Sequence, residues 1–91
     1  MSDKEKYEIW QRLHEAEGGL AFHLAVYGDK IAKREGYKTL DGIEAVHFYL
    51  VHKFAWPPAQ VKGMSYEDIR FVLQEEMNGF VLPAAARKAK H

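Results

Sequence analysis

Histidine is the residue type with the widest chemistry in this chain, and there are five copies. Glu44 and His47 have the Glu-x-x-His spacing that puts both side chains on one helix face. In di-metal carboxylate bundles this pair occurs on two helices, and two further helices add glutamates. Here it occurs once, and its nearest echo, Gln11 to His14, offers an amide where a carboxylate is needed. His47 and His52 are five residues apart, about 140° out of phase on a helix, so they cannot share an ion. His23 and His47 could meet between two helices and, with Glu44, form a pH-sensitive element. The plainer reading is a pair of rings packed at the edge of a core. The expectation is therefore no metal and no cofactor.

Catalysis by a nucleophile finds little support. Cysteine is absent, which excludes a thiol nucleophile, a disulfide and a thiolate metal site. Ser2, Thr39 and Ser65 are the only hydroxyls of their kind, and each stands where a helix would start, so capping accounts for them. Gly18-Gly19 follows no strand and does not match a phosphate-binding loop. No spacing brings two carboxylates into one cleft. The chain reads as a non-enzyme.

The elements that must position these residues are helical. Ile9, Trp10, Leu13 and Ala16 recur at i, i+3, i+4 and i+7, and Ser2 or Asp3 can cap that first helix. Gly18-Gly19 interrupts it. A second helix runs from about 20 to 35, with Leu20, Leu24, Tyr27 and Ile31 on one stripe. Lys30, Lys33 and Arg34 lie towards its end, and Gly36 is its C-cap. Thr39 or Asp41 starts a third, with Ile43, Val46, Leu50 and Phe54 in phase and Phe48, Tyr49 and Val51 adding a second face. It stops at Trp56, because Pro57-Pro58 cannot continue it. A proline-started turn of helix ends near Gly63. Ser65, with Glu67 and Asp68, opens a fourth main helix that carries Ile69, Val72, Leu73 and Met77 as far as Asn78-Gly79. Phe80 to Leu82 forms an apolar hook, the one place a short strand could fit.

This pattern predicts an all-α fold: a single-domain bundle of about four helices over 1–82, followed by a flexible tail at 83–91. Its predicted core is Trp10, Leu13, Leu24, Ile31, Val46, Leu50, Phe54, Ile69 and Leu73. Ninety-one residues at 47% apolar content suffice for one core. Thirteen basic and thirteen acidic side chains cancel, which lowers the expectation of nucleic-acid binding, since phosphate neutralisation needs a basic excess. The charged start MSDKEKYEIW is unlike a signal peptide, and no apolar run reaches the roughly 20 residues that cross a bilayer. The expectation is a cytoplasmic protein without a membrane partner. Charge is uneven, with a basic stretch at 30–38 and an acidic one at 65–77; such faces could steer an association or simply be solvated.

Aromatics make up 13% of the chain. Phe48 and Phe71 fall off the main stripes, and Trp56 adjoins the proline break. These three are the candidate interaction surface, because aromatics left at a surface anchor protein contacts. Alternatively the third and fourth helices are sandwiched and the same rings are core.

The run Phe54-Ala55-Trp56-Pro57-Pro58-Ala59-Gln60-Val61, then Met64-Ser65-Tyr66-Glu67-Asp68-Ile69 and Leu73 to Glu76, resembles small tail-assembly proteins of tailed bacteriophages over about residues 48–76. The resemblance implies a non-enzymatic chaperone or minor tail component of phage or prophage origin, working through a protein partner or self-association. Two other readings compete: a small DNA-binding regulator, since short helices joined by tight turns suit helix-turn-helix geometry, and a metal-binding helical bundle around Glu44, His47 and His23.

Overall fold

The computed structural model describes residues 3–14 and 19–82, with side chains at 4–9 and 19–82. Five helices follow one another: α1 (Asp3–His14), α2 (Gly19–Glu35), α3 (Gly42–Phe54), α4 (Pro58–Lys62) and α5 (Tyr66–Val72). No strand occurs among the described residues. The all-α expectation holds, but the count is five. The short turn of helix after Pro57 is an element in its own right, because Val61 is fully buried there and joins the core. The expected tail at 83–91 lies outside the described residues.

The boundaries follow local chemistry. Gly36 ends α2 at φ 76°, a left-handed conformation that glycine adopts without steric cost. At the end of α3, Ala55 takes φ 57° instead, so α3 stops at Phe54, two residues before Trp56. Pro57 pushes Trp56 out of the helical region, and the chain turns one residue earlier. Ser65 caps α5 by accepting a hydrogen bond from the Asp68 amide at 3.1 Å. Regular helix then ends at Val72, earlier than the expected Asn78-Gly79. Residues 73–79 continue as turns, with the three-residue bonds Gln74 N–H to Phe71 O and Asn78 N–H to Glu75 O. Phe80 to Leu82 has no regular secondary structure and is not a strand.

Helix α2 is the central element. It packs most extensively on α3 and also meets α1 and α5. Leu24, Tyr27 and Ile31 cluster with Val46 and Leu50 of α3, Val61 of α4, Ile69 of α5 and Leu73. Of the predicted core, Leu24, Ile31, Val46, Leu50, Ile69 and Leu73 are fully buried, while Phe54 packs at the margin of this cluster. Trp10 and Leu13 lie outside the described side chains. A β-carbon on Gly28 would sit 1.9 Å from the Gly42 carbonyl oxygen and 2.9 Å from a Val46 methyl. The α2 and α3 backbones thus touch at this crossing, and only glycine fits.

A second cluster lies on the other side of α2, where Phe22 and Val26 pack with Tyr7 of α1 and Leu82. The stripe read from α1 assigned Ile9 to the core. That is corrected: Ile9 is exposed and Tyr7 is buried. Tyr7 wins the interior because it can fill two roles. Its ring meets Phe22 edge-on at 6.4 Å, and its hydroxyl donates to Asp29 at 2.7 Å.

Candidate interaction surface

The three aromatics singled out by sequence take different positions. Phe71, on α5, is 76% exposed. Phe48, on α3, is 39% exposed, with Tyr37 edge-on at 5.0 Å and His52 at 4.2 Å. Trp56 is partly buried; it stacks on Phe54 at 4.6 Å and an interplanar angle of 20°, and leans on the main core. Helix α3 therefore presents one aliphatic face inward and one aromatic face outward, as its all-round apolar pattern allows.

Phe48 stands on a ridge between two grooves. One, about 370 Å³, runs between α3 and α4 and is lined by Leu40, His47, Phe48, Val51 and Pro58, with Glu44 and Lys62 at its polar edge. The other is shallower and is lined by Tyr37, Phe48, Tyr49, His52 and Lys53, with Glu35. Neither of these grooves includes Trp56 or Phe71. The described site is thus an aromatic ridge centred on Phe48, with Phe71 as a separate exposed anchor.

His47 and Glu44 lie together on the α3–α4 groove, as their spacing requires. Burial lowers the His47 pKa from its ordinary 6.5, the nearby Lys62 charge lowers it further, and Glu44 only partly opposes them. The ring is held towards its neutral form. His23 packs edge-on to Phe80 at 5.2 Å, whereas His47 lines the α3–α4 groove. Among the described residues no three His, Cys, Asp or Glu side chains converge as ion ligands.

Two polar clusters escaped sequence reasoning. Asp29 is the buried charge among the described residues. Lys6 contacts it at 2.6 Å, Tyr7 donates at 2.7 Å and Lys33 approaches to 3.4 Å, while Lys6 also reaches Asp41 at 3.1 Å. Burial would raise the Asp29 carboxyl, but the hydrogen bonds from Lys6 and Tyr7 and the charges of Lys6 and Lys33 outweigh it and hold the carboxyl below its ordinary value. In the second cluster, Glu76 accepts from the Tyr49 hydroxyl and from Lys53 at 2.6 Å. Its burial is likewise outweighed by these bonds, and its pKa is lowered. Both clusters join residues more than twenty positions apart. The signal in sequence was Asp29 itself, an acid directly after the apolar run 24–28 of α2.

Helix α5 carries exposed Glu67 and Asp68 beside Arg70, with Glu75 in the turns that follow it and Lys62 at the end of α4. No helix among the described residues is long and apolar enough to cross a membrane. No family model, curated relative or solved structure matches the chain.

Proposed function

We propose that this protein is a non-enzymatic protein–protein interaction module, and that its partner is a component of phage or prophage tail assembly, for which it serves as a chaperone or minor tail protein. The observation that carries the interaction reading is Phe71, a phenyl group 76% exposed on a short, well-capped helix. Fully burying such a side chain contributes about 1.5–3 kcal/mol relative to leaving it in water. That is roughly ten- to a hundredfold in affinity. The monomer forgoes this gain, and a partner recovers it. Phe48 and the groove beside it supply a second contact, with Trp56 fixing the bend that sets α4 against α3. The tail-assembly part of the proposal stands on the resemblance of residues 48–76.

The test is a set of single substitutions, Phe48→Ser, Trp56→Ser and Phe71→Ser, each assayed for thermal stability and for self-association or capture of tail proteins encoded beside it. Phe71→Ser is expected to keep its melting temperature within a few degrees and to lose binding at least tenfold. Trp56→Ser is expected to lower stability as well. Three variants that retain full binding would refute the surface. A clean binding defect towards a protein unrelated to tails would refute the tail-assembly assignment and leave the interaction module standing.

A further inference from the structure

Phe71 is aimed away from the core. Ile69 and Leu73, two residues to either side and so about 200° round the helix, are fully buried. The residues that share its outward face are acids. Glu67 and Asp68 precede it by four and three positions, the spacing that sets β-carbons about 5–6 Å apart on one helix face. Glu75 follows it by four, in the turns beyond α5. All three are exposed, as is Arg70, which stands about 100° to one side of Phe71.

The fold gives only part of a reason for these charges. Glu67 and Asp68 lie in the first turn of α5, where the helix dipole favours acids, but Glu75 lies past the other end. Asp29, Glu35 and Glu76 each hold a cation. Among the described residues, no side chain makes an ion pair or hydrogen bond with the carboxylates of Glu67, Asp68 or Glu75; Asp68 is bonded through its backbone amide, to Ser65 Oγ. A protein that covers Phe71 must therefore also cover carboxylates one turn away. The penalty for one fully desolvated, unpaired carboxylate exceeds the gain from burying one phenyl group, so the ring is a useful anchor only against a surface that answers the acids.

We propose that the outward face of α5 docks on a partner protein whose apolar pocket for Phe71 is flanked by lysine or arginine side chains that pair with Glu67, Asp68 and Glu75. This rests on the reading of Phe71 as a binding anchor and adds the chemistry of the surface that receives it. Symmetric self-association through α5 is disfavoured by the same charges, because a twofold contact sets the face against its own copy. The acids also steer a basic partner before contact, so association is fastest at low salt and slows as salt is added.

The probe is a pair of synthetic amphipathic helical peptides with the same leucine stripe, flanked by lysine in one and by glutamate in the other, each titrated into the full chain by fluorescence anisotropy. The lysine peptide is expected to bind at least tenfold tighter than the glutamate peptide, and to lose most of that advantage at about 0.5 M salt. Phe71→Ser should weaken it at least tenfold at low and high salt alike. Glu67→Gln/Asp68→Asn and, separately, Glu75→Gln should weaken it at low salt and flatten its salt dependence; Glu75 stands outside the helix, so its variant leaves the first turn of α5 untouched. Ile9→Ser, which removes an exposed apolar side chain from α1, should change none of these values. No binding by the lysine peptide, equal affinity for the two peptides, or neutral variants that bind as the wild type does would overturn the proposal; in each case a loss of partner capture by Phe71→Ser would leave the anchor standing. Unchanged binding of the lysine peptide by Phe71→Ser would take down the anchor and the proposal together. If sedimentation showed the wild type associating with itself through Phe71 as tightly as it binds the lysine peptide, the face would belong to a second copy, and the basic partner would be ruled out.

Discussion

Towards α3, helix α2 presents Leu24, Gly28 and Ile31; towards α1 and Leu82 it presents Phe22, Val26 and Asp29. On the first side the contact is aliphatic and so close that two backbones touch. On the second, a buried carboxylate gathers Lys6 and Tyr7, and Leu82 packs beside them on Phe22 and Val26. The first side is intolerant of added volume. The second adds charge-assisted bonds to its apolar contacts.

The comparison is tested most severely on the α3 side. Leu50→Ala is expected to cost about 4 kcal/mol, since Leu50 is fully buried and its neighbours on four helices cannot all relax into the cavity. A urea unfolding midpoint unchanged from wild type would mean that the inward face of α3 is misassigned. Gly28→Ala follows at about 3 kcal/mol, the upper end for overpacking, because the obstacle is the Gly42 backbone. If it melts within a degree or two of the wild type, the α2–α3 crossing is not as close as described.

On the other side of α2, charge is the lever. Asp29→Asn should cost about 2 kcal/mol at neutral pH, as charge-assisted bonds from Lys6 and Tyr7 are weakened. Its pH dependence has a definite sign. The folded carboxyl titrates below its ordinary 3.8, so its contribution is complete above about pH 4 and disappears as pH falls through the lower folded value. The variant should therefore lose less stability than the wild type between pH 4 and pH 2. Parallel curves would show that Asp29 does not couple α1 to α2.

The smallest effect belongs to His47. Burial and Lys62 lower its pKa from 6.5, so the fold prefers the neutral ring and loses stability as pH drops below 6.5 towards the folded value. His47→Gln should flatten the shallow slope of melting temperature between pH 6.5 and 5. A slope that persists unchanged would place that titration on another group.

Helix positions were legible from residues alone because helical hydrogen bonds are local. Gly36, Pro57 and Ser65 end or start helices in the structure where their chemistry said they would. The stripe Leu24, Ile31, Val46, Leu50, Ile69 and Leu73 was equally legible, since a 3.6-residue period marks a face that must leave water. The second buried face of α2 was not. Ala21, Phe22, Ala25 and Val26 complete an apolar circumference, and periodicity says nothing about where such a helix meets its neighbours.

The candidate surface divides along the same line. That Phe48 and Phe71 fall off their stripes is a property of spacing, and both are exposed. Their separation, and the grooves on either side of Phe48, depend on how α3 crosses α2 and α4. Tyr7 in place of Ile9, and Asp29 as a tolerated buried charge, were decided by partners 22 and 23 residues away in sequence. Spacing along one helix determines which residues share a face. What that face meets is set by pairings between distant segments, and there the Tyr7 hydroxyl and the Lys6 ammonium, with Lys33 nearby, hold a carboxylate inside the fold.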